Sequence, residues 1–119
     1  MSAPRILASF VLDSKGKPKG RSTGEYVIVL RVTDFPEDTY AVTYHLHESY
    51  YDPLRETRDR SSGFADEITS YGEFTITAKI RTKSMNISVK RSLHEALAES
   101  HAGSAVPEIQ QALEDIENN

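Results

Sequence analysis

The chain contains no cysteine, which removes several classes of chemistry at once. No disulfide framework, thiolate nucleophile or cysteine-ligated zinc site is possible, and a cytoplasmic location is the simpler expectation. An excess of positive charge is absent as well, since 14 Lys and Arg residues stand against 18 Asp and Glu residues, a net charge of −4. This balance argues against sequence-independent binding to nucleic acid or to an anionic membrane surface.

Long apolar runs are also missing. No stretch approaches the roughly 18 consecutive apolar residues of a membrane-spanning helix. The opening MSAPRILASFVLD lacks the long apolar core of a secretory signal. The 119 residues are enough for one compact domain with a hydrophobic core. We therefore expect a soluble protein.

Apolar and polar residues alternate with a period of two in several segments, which predicts a β-rich fold. In residues 39–47, Tyr40, Val42, Tyr44 and Leu46 are expected to share one face of a strand. The predicted strands cover residues 25–33, 39–47, 73–81 and 84–90, with a further apolar run over 5–12 and a glycine-containing loop over 13–24.

Helical signals are confined to the end of the chain. The segment SLHE, from Ser92 to Glu95, has the form of a capping box and predicts a helix over 93–100. Pro107 suits a first helical turn, and the apolar stripe that follows it predicts a second helix over 107–117.

Short strands with turn-rich joints, followed by helices, are typical of an antiparallel β-sandwich with a C-terminal appendage. The predicted fold class is therefore all-β. We place the sandwich in residues 1–91 and the helical appendage in residues 92–119.

Polar residues crowd the segment VTYHLHESYYDP, which raises the possibility of a metal site. His45 and His47 lie two apart on a predicted strand, so both imidazoles are expected on one face, and the next glutamate offers an oxygen ligand. The remaining histidines, His94 and His101, lie in or beside the tail helices and supply no third ligand. We therefore predict no bound metal and no cofactor, and we favour the alternative that both histidines simply lie on a partly solvated strand face.

Hydrolytic catalysis is a second hypothesis for the same segment, because Ser49 and Tyr50 follow His47 closely. The sequence has neither a GxSxG elbow nor a glycine-rich phosphate loop. A serine near a histidine in sequence is no catalytic triad, because the base must reach the hydroxyl in space and be oriented by a third group. We predict that the protein is not an enzyme.

Two separated motifs carry a resemblance to a known family. LHESYYDP at 46–53 and GFADEITSYGEF at 63–74 resemble the YEATS domain family, whose members carry an LHES-aromatic segment and a later Tyr or Trp before a GEF-like strand start. The short acidic chain is most similar to the prokaryotic branch. The resemblance covers about residues 5–89 and implies an immunoglobulin-like β-sandwich, in agreement with the strand pattern. It also implies recognition of acylated lysine, chiefly acetyl and crotonyl, on a protein or peptide.

The resemblance assigns roles to five residues. It implies that Tyr50 and Tyr71 sandwich the planar acyl group, and that Ser49 accepts a hydrogen bond from the acyl amide N–H. The main-chain N–H of Tyr71 would donate to the acyl carbonyl. His47 would line the slot and hold Ser49 in place, and Gly72 would let the loop backbone approach the ligand. The polar cluster then marks the mouth of a cleft at one end of the sandwich.

The chain departs from the family pattern at three points. Ser70 stands where many relatives have glycine, the segment between the motifs is about two residues longer, and Ser22 and Thr23 stand where some relatives supply a third aromatic. Two functions therefore stay open. One is a non-enzymatic reader of acyl-lysine in a bacterial signalling or effector system, and the other is a protein-interaction adaptor that lacks acyl-lysine binding.

Overall fold

Two antiparallel sheets pack around a shared core in the computed structural model, which describes residues 3–119. The strands are β1 (Arg5–Phe10), β2 (Tyr26–Thr33), β3 (Thr39–His45), β4 (Leu54–Thr57), β5 (Asp66–Ser70), β6 (Thr75–Thr82) and β7 (Asn86–Ser92). The helices are α1 (Leu93–Ser100) and α2 (Pro107–Asn118), and a 3-10 turn covers Arg60–Ser62. One sheet has the order β1-β2-β5 and the other β4-β3-β6-β7, an immunoglobulin-like sandwich.

The period-two alternation builds the core as the sequence predicts. Every second residue of β2 and β6 is buried, while most of the residues between them are exposed or half-buried. The buried residues are Tyr26, Ile28, Leu30 and Val32 in β2, and Ile76, Ala78, Ile80 and Thr82 in β6. The predicted all-β sandwich with a helical tail is confirmed, and β7 begins two residues later than predicted.

The face predicted for β3 is wrong at Tyr40, whose side chain is 43% exposed. The pairing of β3 with β6 shifts between Thr39 and Ala41, so Tyr40 is an extra residue in the strand. Such a bulge breaks the alternation locally. All four residues from Ala41 to Tyr44 are buried, and the outward Tyr40 ring lies 5.7 Å from the guanidinium carbon of Arg58.

Two strands, β4 and β5, were not predicted from the sequence, and each lies at the edge of a sheet. The four residues of β4 include none that is buried, and β5 begins with two acidic residues. Arg55 of β4 lies 3.3 Å from the carboxylate of Asp66 in β5, so an ion pair bridges the two edges. Burial raises the pKa of the Asp66 carboxyl, and the Arg55 charge opposes that shift.

Both helices bury their apolar faces in the core of the sandwich. Five of their residues are fully buried in the same cluster as the strand residues: Leu93, Ala96 and Leu97 of α1, and Ala112 and Ile116 of α2. The division into a sandwich of residues 1–91 and an appendage of residues 92–119 stays a prediction. Neither described helix has the length and apolar character needed to cross a lipid bilayer.

Ser92 caps helix α1 as predicted, because the Ser92 Oγ accepts the Glu95 N–H at 3.1 Å. The carboxylate that completes this helix start belongs to Glu73. Its Oε1 accepts the His94 N–H at 3.0 Å and its Oε2 accepts the Ser92 hydroxyl. Because Glu73 lies between β5 and β6, this capping ties the helix to the turn between those strands.

Leu97→Ala should lower the free energy of unfolding by about 2–5 kcal/mol, because it leaves a cavity in a fully packed core. Urea denaturation followed by circular dichroism measures the change. Leu54→Ala is the matched control, since Leu54 is 56% exposed, and its effect should stay within about 0.5 kcal/mol. A helical appendage that unfolded separately would instead give a second transition and leave the sheets unaffected by Leu97→Ala.

Candidate functional site

A cleft of about 430 Å³ lies at one end of the sandwich, where β3 and β5 end and β2 and β6 begin. All five residues predicted for a binding site line it: His47, Ser49, Tyr50, Tyr71 and Gly72. The other lining residues are Glu25, Tyr51, Thr69, Ser70, Glu73, Phe74 and Asn119. The two sequence motifs, about twenty residues apart, are thus brought together.

The His47 imidazole orients Ser49. The Ser49 N–H donates to His47 Nδ1 at 3.1 Å, and the Ser49 Oγ lies 2.8 Å from the same nitrogen. A ring nitrogen that accepts a main-chain N–H carries no proton, so the Ser49 hydroxyl is the donor in the second contact. The oxygen lone pairs of Ser49 are therefore left to accept a further hydrogen bond.

The Tyr50 side chain is held in place at both ends. Its hydroxyl donates to the Thr69 carbonyl at 2.6 Å, and its ring packs on Phe74 with centroids 5.6 Å apart at 58°. Burial raises the pKa of the Tyr50 hydroxyl, which therefore stays a neutral donor at physiological pH. Phe74 was not predicted as a site residue, although it ends the GEF segment that carried the resemblance.

The Tyr71 side chain is 63% exposed, on the turn that follows β5. Ser70 fixes this turn, because its buried hydroxyl donates to the Gly72 carbonyl at 2.8 Å and accepts the Gly72 N–H at 3.3 Å. The serine that replaces the glycine of the family pattern therefore has a structural role. Within residues 3–119, the main-chain N–H of Tyr71 has no acceptor and stays available.

The residue that packs closely against the Gly72 backbone is Asn119 of the same chain. A Cβ on Gly72 would lie 2.8 Å from both the main-chain carbon and the main-chain oxygen of Asn119, and 3.3 Å from the Asn119 Cβ. The same oxygen accepts the Glu73 N–H at 3.0 Å. No sequence signal pointed to Asn119, because the contact depends on how α2 packs against the sandwich.

The lining of the cleft is anionic. The loop before β2 contributes Glu25. Ser22 and Thr23 of the same loop do not line the cleft, and among the described lining residues this loop supplies no aromatic side chain. The other lining side-chain carboxylate belongs to Glu73. Among the described lining residues there is no lysine or arginine.

The structure gives no support to the metal hypothesis. His45 does not line the cleft, and burial lowers the pKa of its imidazole, with a further contribution from Lys79 and Arg81. Nearby cations also disfavour a bound metal ion. In the described part of the chain, no three His, Asp or Glu side chains are grouped to hold a metal.

Comparison with solved structures shows the fold. The Yaf9 YEATS domain bound to H3K27ac has a TM-score of 0.54 and 18% identity, over 78% of this chain and 73% of that chain. The yeast AF-9 homolog protein Yaf9 has a TM-score of 0.54 and 20% identity, over 78% and 71%. The Yaf9 YEATS domain recognising an H3K122suc peptide has a TM-score of 0.52 and 16% identity, over 78% and 73%.

Comparison with family models shows the family. No curated protein sequence matches the chain. The model of the prokaryotic YEATS domain matches residues 25–94, which is more than half of the chain and includes both sequence motifs. The chain therefore belongs to the prokaryotic YEATS domain family.

Proposed function

We propose that the protein is a non-enzymatic binding module whose cleft takes an acylated lysine of a protein or peptide. The observation that carries this proposal is the Ser49 oxygen, oriented by His47, beside the fixed ring of Tyr50. Similarity of fold supports the proposal, because solved Yaf9 domains are bound to H3K27ac in one case and recognise an H3K122suc peptide in another. A cytoplasmic location and a role in bacterial signalling belong to the same proposal.

The polar groups of the cleft match an amide better than an ammonium ion. The Ser49 oxygen is suited to accept the acyl amide N–H, and the free Tyr71 N–H is suited to donate to the acyl carbonyl. An unmodified lysine must lose its hydration and needs a carboxylate in return. The Glu73 carboxylate is already engaged by the start of α1 and by the Phe74 N–H, so it offers an ammonium less, whereas the Glu25 carboxylate would attract one. Discrimination against unmodified lysine therefore depends on the cost of removing its hydration.

The charge of the lining favours uncharged acyl groups. An acidic acyl group such as succinyl would bring a carboxylate beside Glu25 and Glu73, and no lysine or arginine of the described chain lines the cleft to pair with it. Like charges at short distance are unfavourable, most of all where water is partly excluded. We therefore place acetyl and crotonyl ahead of succinyl as ligands.

The second candidate function is a protein-interaction adaptor without acyl-lysine binding. Large exposed side chains that line the cleft favour it, since Tyr51 is fully exposed and Tyr71 is 63% exposed. Tyrosine is common at the centre of protein interfaces. Binding experiments with acylated and unmodified peptides separate the two functions.

Tyr71→Ala should weaken acyl-peptide binding by about 1–3 kcal/mol, or roughly 5- to 150-fold, because it removes one aromatic wall. Tyr71→Phe should cost little. Isothermal titration with acetyl-lysine and crotonyl-lysine peptides measures both, and Tyr40→Ala is the control because that exposed tyrosine lies outside the cleft. A wild-type protein that bound no acylated peptide at millimolar concentration, or bound the unmodified peptide equally well, would leave only the adaptor.

Ser49→Ala should weaken acetyl and crotonyl peptides equally, by roughly 1 kcal/mol, because both ligands present the same amide N–H. If His47 acts by orienting Ser49, then His47→Ala combined with Ser49→Ala should cost no more than Ser49→Ala alone. The same titrations supply this double-mutant cycle. Fully additive losses would show that His47 contacts the ligand independently of Ser49.

Glu25→Gln should raise the affinity for a succinyl-lysine peptide by about 2- to 5-fold, because one lining carboxylate is neutralised. Affinity for the acetyl-lysine peptide should stay within about twofold, since acetyl carries no charge. The measurement is a pair of titrations at low and high salt, and the preference for acetyl should shrink at high salt. A wild-type protein that preferred succinyl would contradict the proposed ligand class.

A further inference from the structure

Strand β7 lies at one edge of the four-stranded sheet and pairs with β6 alone. The main-chain groups on the outer side of such a strand can pair with a strand of another molecule. Of the four sheet edges in the described chain, those of β1, β4 and β5 are protected and that of β7 is not. We propose that the outer edge of β7 is a dimerisation site, which pairs antiparallel with β7 of a second copy of this chain.

The other three edges are protected in two ways. Side chains occupy main-chain groups of β1, because the Arg91 guanidinium donates to the Ile6 carbonyl at 2.9 Å and the Phe10 N–H donates to His101 Nε2 at 3.0 Å. The strands β4 and β5 have only four and five residues, and an ion pair bridges them. Short strands and charged side chains both disfavour pairing at an edge.

The hairpin between β6 and β7 determines which main-chain groups of β7 point outward. The Thr82 N–H donates to the Met85 carbonyl at 2.9 Å, so these two residues form a hydrogen-bonded pair. In an antiparallel pair, successive residues alternate between directing their N–H and C=O groups toward the neighbouring strand and away from it. Asn86, Ser88 and Lys90 therefore direct these groups away from β6. In the part of the chain that the structure describes, the outward groups have no hydrogen-bond partner.

The outer edge of β7 is accessible to another strand. A groove of about 510 Å³ lies beside its second half, with Val89, Lys90 and Arg91 on one side and residues 4–6 on the other. The side chains of Ile87 and Val89 pack against the core but are only half-buried. A strand added at this edge would therefore cover apolar surface in addition to pairing main-chain groups.

The sequence of β7 is complementary to itself. An antiparallel pair centred on Ser88 places Asn86 opposite Lys90 of the second copy and Ile87 opposite Val89 of the second copy. The outward residues then pair with one another, the apolar residues meet on the core side, and no like charges lie opposite each other. A pair centred on Lys90 would instead place two lysines opposite each other. Because a two-fold axis closes the pair, a second copy satisfies this edge without forming a longer chain of molecules.

Sedimentation equilibrium from about 10 µM to about 1 mM tests the proposal. An interface of one strand pair is smaller than that of most stable dimers, so we expect a dimer that dissociates on dilution. Ser88→Pro should weaken dimerisation by at least about 10-fold, because it removes an outward N–H. Since that N–H does not pair with β6, circular dichroism should show a folded monomer. Ser88→Ala is the matched control, because it keeps the N–H and should leave the dissociation constant within about twofold.

A charge exchange tests the register independently of Ser88→Pro. Asn86→Lys should weaken dimerisation by about 3- to 10-fold, because the two-fold axis makes two pairs in which the new lysine lies opposite Lys90. Combining Asn86→Lys with Lys90→Asn exchanges the two side chains and should restore the wild-type dissociation constant to within about twofold. A general loss of folding would not be rescued in this way. Absence of rescue would overturn the pairing centred on Ser88.

Amide hydrogen exchange tests whether β7 is the surface that pairs. The N–H groups of Asn86, Ser88 and Lys90 should exchange at least about 5-fold more slowly at the highest protein concentration than at the lowest. Those of Ile87 and Val89 already pair with β6 and should not respond. A protein that stayed monomeric over the whole concentration range would overturn the proposal. A dimer in which the three outward N–H groups exchanged at the monomer rate would also overturn it.

Discussion

The hydrogen bonds of Glu73 hold together the three segments on which the cleft depends. Its carboxylate accepts the Ser92 hydroxyl and the His94 N–H at the start of α1, while its main-chain N–H donates to Asn119 at the end of α2. A negative charge at a helix start is favoured both by the unpaired N–H groups and by the helix dipole. Glu73 itself lies in the turn that carries Tyr71. The position of that aromatic side chain is thereby coupled to both helices.

Much of the fold followed from local patterns, and the exceptions share a physical cause. The strands β2 and β6 bury one face each, so their alternation is visible in the sequence. The strands β4 and β5 are short, with four and five residues; β4 buries no side chain, and the two buried residues of β5 are Ile68 and Ser70, so apolar alternation is too weak to mark either strand. Tyr40 was placed on the wrong face because a bulge depends on the partner strand, which a local pattern does not contain.

The candidate site likewise combines residues that the sequence predicted with residues that only the tertiary structure reveals. Five residues from two motifs were predicted to lie together, and all five line one cleft. Phe74 could have been added, since it lies inside the second motif. Glu25 and Asn119 could not, because only the tertiary structure brings them to the cleft. Ser70 stands where many relatives have glycine, so the sequence marked it only as a departure from the family pattern. In the structure its hydroxyl fixes the turn through two hydrogen bonds to Gly72.

The cleft is assembled from segments that lie far apart in the chain, from Glu25 to Asn119. Long-range contacts of this kind slow folding, because each must first overcome the entropy of closing a long loop. During synthesis both sheets are complete in sequence at Ser92, but the lining of the cleft is complete only once Asn119 has been added. A growing chain therefore contains all seven strands before it contains every residue that lines the cleft. A chain interrupted within α2 would expose the motif residues in a cleft that lacks Asn119.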